Sequence, residues 1–135
     1  MLEGQASSLK TTALEFFDTD FVYGSDNFTP AAFVSHAANI KREELAKIDL
    51  LPRLKHKLWV VKDLAPIFSK RADDLSEAVG VLTRILDGRG YRSDTGAQGQ
   101  RGYTGDYRFG LLAATTPLDS RIWKVMSRLG PRFLF

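Results

Sequence analysis

Leu58-Trp59-Val60-Val61-Lys62-Asp63-Leu64 is the stretch on which the fold turns. Four apolar residues in a row, with no alternation, read as a strand buried on both faces, the pattern of a parallel sheet. The run stops at a lysine and an aspartate. Open α/β sheets bind their ligands outside the carboxyl ends of the strands, so Asp63 stands where a ligand would lie. A second run, Phe109-Gly110-Leu111-Leu112-Ala113-Ala114, has the same character and ends in Thr115-Thr116-Pro117. It is expected to lie beside the first, with its hydroxyls facing the same crevice.

Helical spacing fills the intervals. Leu75, Val79, Leu82 and Leu86 recur on one side of a helix that Gly88 stops; Asp74 is its expected N-cap, and Glu77 completes a capping box. Ile122, Val125, Met126 and Leu129 mark another helix, entered through Leu118-Asp119-Ser120 and ended by Gly130-Pro131. Lys10 to Phe17 reads as a short helix, and Phe21-Val22-Tyr23 as a short strand. Thr29-Pro30 supplies an N-cap followed by proline at the first helical position, predicting a helix through about Ala38. Lys41 to Leu54, charged and interrupted by Pro52, reads as a short helix and a surface connection. Strands alternating with helices predict one α/β domain over 1–135, a mostly parallel sheet with helices on both faces.

From Gly88 to Arg108 the composition changes, for six of the eleven glycines fall here. That density predicts a long hairpin or loop. Arg89, Arg92, Arg101 and Arg108 are interleaved with Tyr91, Tyr103 and Tyr107, a mixture of phosphate contacts and stacking faces that single-stranded nucleic acid sites use. The bland alternative is a solvated loop.

Near the N-terminus, Gly4-Gln5-Ala6-Ser7-Ser8-Leu9-Lys10-Thr11-Thr12 matches the phosphate-binding pattern G-x-x-x-x-G-K-[ST] at every fixed position but one. Such a loop curls consecutive backbone N–H groups around phosphate oxygens, with a lysine on the β- and γ-phosphates and a hydroxyl on Mg²⁺. Gly4, Ser7, Ser8, Lys10, Thr11 and Thr12 are the candidate ATP-binding residues, and Thr11 and Asp63 the candidate Mg²⁺ ligands. Leu9 occupies the place of the second glycine.

The remaining composition excludes more than it suggests. There is no cysteine, so disulfide frameworks and thiolate metal sites are excluded, and His36 and His56 lack metal-ligand spacing. No apolar run is long enough for a membrane span, the start lacks a signal-peptide layout, and a cytoplasmic location without membrane partners is expected. A net charge of +3 tilts the chain only modestly toward an anionic partner.

Taken together, the phosphate loop, the Lys62-Asp63 strand end, the glycine-rich Asp87-Gly88 hairpin, the apolar strand ending in threonine and Leu129-Gly130-Pro131-Arg132-Phe133 resemble the ATPase core of phage- and plasmid-type P-loop proteins. These are similar to AAA+ and RecA-like helicase or DNA-processing ATPases. The resemblance implies Lys10 on the β- and γ-phosphates, Thr11 and Asp63 serving Mg²⁺, and Thr116 as polar sensor of the γ-phosphate. It also implies Arg132 as an arginine finger acting on a neighbouring subunit of a homo-oligomer, with Arg128 as its substitute. Leu64 departs from the family pattern, because many such ATPases carry a glutamate after the aspartate; Glu77 and Asp87 are the candidate replacement bases. Only Met1-Leu2-Glu3 precede Gly4, so the sheet is expected to be incomplete at its first core strand, as in a fragment or a decayed domain. The expected function is ATP binding and hydrolysis acting on nucleic acid, DNA above all, in phage or plasmid replication or helicase-like processing. The alternatives are a nucleotide-incompetent binding or assembly module and a small-molecule phosphotransferase.

Overall fold

The unbroken apolar run at 58–61 is buried from both sides, and the reason lies in its neighbours. The computed structural model describes residues 2–3, 20–35, 37, 39–96 and 99–128. Its strands are β1 (Leu2–Glu3), β2 (Val22–Ser25), β3 (Leu58–Val61), β4 (Gly90–Thr95), β5 (Gly99–Thr104) and β6 (Gly110–Thr115). One sheet runs β1-β6-β3-β2, and β4 and β5 form a separate antiparallel ribbon. Every pairing in the larger sheet is parallel, with Val61 opposite Ala113, Val22 opposite Leu58 and Glu3 opposite Thr115. The two residues before the Gly4 loop are therefore paired with β6, and β6 separates them from the strand that leads to Asp63.

Trp59, Val61 and Ala113 face the main core. Val60 and Ala114 face the other way, at 4% and 1% exposure, with Val22, Leu58 and Leu112 around them. The described helices are α1 (Arg42–Ile48), α2 (Leu50–Leu54), α3 (Ala65–Phe68), α4 (Ala72–Leu86) and α5 (Ser120–Met126). The core on the Trp59 face receives Leu50, Leu51 and Leu54 of α2, Ile67 and Phe68 of α3, the Leu75–Val79–Leu82 stripe of α4, and Ile122 and Met126 of α5. Trp59 anchors it, edge-on to Phe28 at 4.8 Å and Phe33 at 5.5 Å, while its indole N–H donates to Ser25 Oγ at 3.0 Å. The expected α/β class and parallel strands are present, and α2, α3, α4 and α5 pack on this face.

Two expectations need correction. Asp74 does not cap α4: the Leu75 N–H donates to the Arg71 carbonyl at 2.9 Å, so the helix begins at Ala72 and Asp73 and Asp74 fall in its first turn. Acidic side chains there still complement the helix dipole. The helix expected from Pro30 through Ala38 is a 3-10 turn, Pro30–Ala32. Tertiary bonds capture its continuation, since the Phe33 carbonyl accepts from Leu51 N–H at 3.3 Å and the Ser35 N–H donates to Asp49 Oδ1 at 2.8 Å. The Lys41–Leu54 region holds two helices, with Pro52 accommodated in the first turns of α2.

Candidate functional site

The carboxyl ends of β1, β6, β3 and β2 define one edge of the sheet. Thr115, the last residue of β6, pairs with Glu3 on one side, and the Leu64 N–H donates to the Ala114 carbonyl at 2.9 Å on the other. Thr115 thus lies between the end of the first strand and the segment carrying Asp63. It is 1% exposed, and its Oγ1 has no hydrogen-bond partner among the described residues. A buried hydroxyl without a partner costs free energy, so such groups are rare and mark places where something else can bind. Thr116, the expected sensor, is exposed just beyond the strand.

Asp63 is exposed, and its Oδ1 accepts from the Ala65 N–H at 2.9 Å at the entrance to α3. Its Oδ2 makes no hydrogen bond among the described residues, which leaves that oxygen able to meet a metal-bound water. Beside it, Lys62 Nζ lies 3.5 Å from Asp26 Oδ1 at the end of β2. Among the described residues no cluster of three or more His, Asp or Glu side chains could hold a metal ion, so Asp63 Oδ2 is the one candidate ligand atom of this edge that they supply. Gly4, Ser7, Ser8, Lys10, Thr11, Thr12 and Arg132 lie outside the described residues, as does His36. Of the candidate bases, Glu77 lies in the second turn of α4, whereas Asp87 is the C-cap of that helix. Arg128 Nη1 donates to Ser76 Oγ at 3.3 Å.

Within the Gly88–Arg108 stretch, β4 and β5 form an antiparallel ribbon rooted at the opposite ends of the sheet strands. Its root is fixed where Gly110 N–H donates to the Lys57 carbonyl at 2.9 Å and His56 N–H to the Arg108 carbonyl at 2.7 Å, at the amino ends of β6 and β3. Six strand residues at roughly 3.3 Å each put it about 20 Å from the Thr115 edge. Asp87 belongs to this end, too far away to act as a base at the other. Two glycines are required by the pairing: Gly90 at φ +87° and Gly102 at φ +139° present their α-carbons to the Tyr103 and Tyr91 carbonyls, where a side chain would collide.

Alternation along the ribbon decides which side chains are accessible. Tyr91 is directly opposite Tyr103, and Ser93 opposite Arg101, all half-buried on the inner face; Arg92, Asp94 and Gln100 point outward. The rings of Tyr91, Tyr103 and Tyr107 pack against the core, with Tyr103 and Tyr107 5.7 Å apart and Lys55 Nζ 5.0 Å from the Tyr107 ring centre. Tyr103 O–H donates to Asp49 Oδ2 at 2.6 Å. Burial first, and then this bond to a carboxylate, pushes the phenol well above the usual tyrosine range. Arg108 is bound to Asp106 through two contacts of 2.8 and 3.1 Å, and His56 Nε2 lies 3.0 Å from the same carboxylate. Those two contacts, Arg108 before His56, hold Asp106 well below the usual carboxylate range. Arg89 and Arg92 remain exposed.

Sequence reasoning missed Asp49, which is 1% exposed and ties the Ser35 loop, the α1–α2 junction and the ribbon together. The only signal was an acidic residue set among Ile48, Leu50 and Leu51. It also passed over Thr115 in favour of its neighbour, although the two-residue strand period counted from Ala113 would have put Thr115 inside. No protein-family model matches the chain, and no curated protein matches its sequence. No helix among the described residues is long and apolar enough to cross a membrane.

Proposed function

We propose that the chain binds ATP with Mg²⁺ at the carboxyl edge of its parallel sheet and hydrolyses it, as a P-loop ATPase core that works on nucleic acid. The observation that carries this reading is the buried Thr115 hydroxyl, without a hydrogen-bond partner among the described residues, between the end of β1 and the Asp63 segment. In the sequence the phosphate-binding pattern at 4–12 follows β1 directly. Asp63, through Oδ2, and Thr11 would hold the Mg²⁺, which when bound neutralises charge on the phosphate oxygens. Lys10 would meet the β- and γ-phosphates, Thr116 would lie at the rim as the γ-phosphate sensor, and Arg132 would act on the site of a neighbouring copy in a homo-oligomer. The net charge of +3 and the exposed Arg89 and Arg92 support a nucleic acid partner.

A second reading, a nucleotide-incompetent assembly module of the same fold, is favoured by Leu9 and by the use of one Asp63 oxygen in fixing the start of α3. Calorimetric titration with Mg²⁺-ATP separates the two. Weak binding is expected in the unaltered chain, loss in Lys10→Ala, and tighter binding in Leu9→Gly, because glycine restores backbone access to the phosphates. Equal behaviour of the three proteins would overturn the nucleotide site and leave the module.

A further inference from the structure

Two cavities adjoin the ribbon and share Gln100 and Tyr103. The larger, about 390 Å³, is lined by Arg84 from the last turn of α4 together with Arg89 and Arg92. The smaller, about 70 Å³, is lined by Arg42 from the start of α1 together with Arg101 and Gly102. None of these five guanidinium groups forms an ion pair among the described residues, in contrast to Arg71 and Arg108. Asp87 and Asp94 also line the larger cavity, and Asp94 Oδ2 already accepts from Gln100 Nε2 at 3.4 Å. Five arginines against two aspartates leave the combined surface cationic.

Size and orientation then choose among anions. At about 70 Å³ the smaller cavity is far tighter than its neighbour, which suits a compact phosphate group better than a base. Tyr91 and Tyr103 line the larger cavity but are half-buried and packed against the core, so their ring faces are only partly open to a base. Gln100 and Tyr103 join the two cavities, and Gly102 beside them in the smaller one is bare of side chain and fixed as glycine by its positive φ. The ribbon is two strands wide, roughly 5 Å between strands, which suits one nucleic acid backbone rather than a duplex.

We propose that the two cavities form one track for the sugar–phosphate backbone of a single-stranded nucleic acid, crossing β5 at Gln100 and Gly102, with Arg84 and Arg42 as its outer contacts and the bases facing solvent. This rests on the nucleic acid part of the function proposed above, and adds two helix residues that lie outside the arginine-tyrosine stretch. Fluorescence anisotropy of the full chain tests it with labelled oligothymidylate of about twelve residues, an abasic oligomer of equal length, and a duplex, each over a range of salt. The abasic and base-containing strands are expected to bind within about threefold of each other. Arg42→Ala with Arg84→Ala should weaken both about tenfold and lower the logarithmic salt slope by about 1.4, two phosphates at 0.7 each, while Arg42→Lys with Arg84→Lys keeps the slope. Tenfold weaker binding of the abasic strand would show that bases carry the affinity and overturn the track while keeping a nucleic acid partner. Preference for the duplex, or an unchanged slope in a double alanine variant of unaltered circular dichroism, would also overturn it. Binding of ATP without binding of any oligonucleotide would remove the track and leave the nucleotide site standing.

Discussion

The two ends of β3 and β6 are finished differently. At the carboxyl end, among the described residues, a threonine hydroxyl is buried without a partner and an aspartate keeps one oxygen uncommitted where the strands stop. At the amino end the polar groups that shape the ribbon are consumed internally: Tyr103 by Asp49, and Asp106 by Arg108 and His56. The contrast is one of purpose. Groups that hold a frame must be satisfied by the fold itself, because an unsatisfied one weakens it, whereas a group meant for a ligand is satisfied only when the ligand arrives.

The largest expected effect comes from breaking the frame. Asp49→Ala would strand both the Tyr103 hydroxyl and the Ser35 N–H, and a buried group left without its bond costs about 1–3 kcal/mol, so for these two half-buried groups a loss of roughly 2–4 kcal/mol is expected in urea unfolding. Tyr103→Phe removes one donor from a carboxylate that keeps the other, and should cost about 1–3 kcal/mol. Loosening the ribbon should leave Mg²⁺-ATP binding nearly unchanged, since the two ends are about 20 Å apart by strand rise. Nucleotide affinity that falls together with stability in Tyr103→Phe would mean that the ends are not independent.

At the carboxyl end, where the nucleotide is proposed to bind, the sign should reverse. Thr115→Val keeps the shape of the side chain and deletes a hydroxyl that has no partner among the described residues, so stability should be unchanged or rise by up to about 1 kcal/mol. Mg²⁺-ATP binding or turnover should fall in the same variant. A destabilised Thr115→Val would place this hydroxyl among the frame groups and erase the contrast between the ends.

How far the sequence revealed each end follows from the same difference. The strands at 58–61 and 110–115 were legible because a run of apolar residues has one physical solution, burial on both faces, and the α4 stripe was legible because 3.6-residue spacing has one as well. The ribbon could be anticipated from its glycines, but not the direction of its tyrosines, which depends on the register that sets Tyr91 against Tyr103. Asp49 was invisible because its partners, Ser35 and Tyr103, lie 14 and 54 residues away. The Pro30 helix failed for the same reason, since Leu51 and Asp49 claim the backbone groups that would have extended it. Periodicity reports burial well, and it is silent on which distant polar group will take a particular bond.

The smallest effect should appear at the root of the ribbon and depend on pH. Arg108 and His56 favour the ionised Asp106 carboxylate, so its folded-state pKa is depressed below that of the unfolded chain, about 3.9 for aspartate. For a depressed pKa the unfolded chain takes up the proton first. The contribution is therefore complete above about pH 5 and is lost as pH falls past the unfolded value toward the folded one. The carboxylate is exposed, so water and salt screen the pairing and the effect on stability should be slight. Titration of the Asp106 side-chain carbon by NMR should place its midpoint well below the ordinary carboxylate range in the unaltered chain and return it toward that range in Arg108→Ala. Thermal melts of the two proteins should run parallel between pH 8 and 5 and differ in slope only in acid, where Arg108→Ala should be the less pH-sensitive. An ordinary midpoint in the unaltered chain would show that the contacts of 2.8 and 3.1 Å are not held in solution, and the root of the ribbon would then rest on its two backbone bonds from Gly110 and His56.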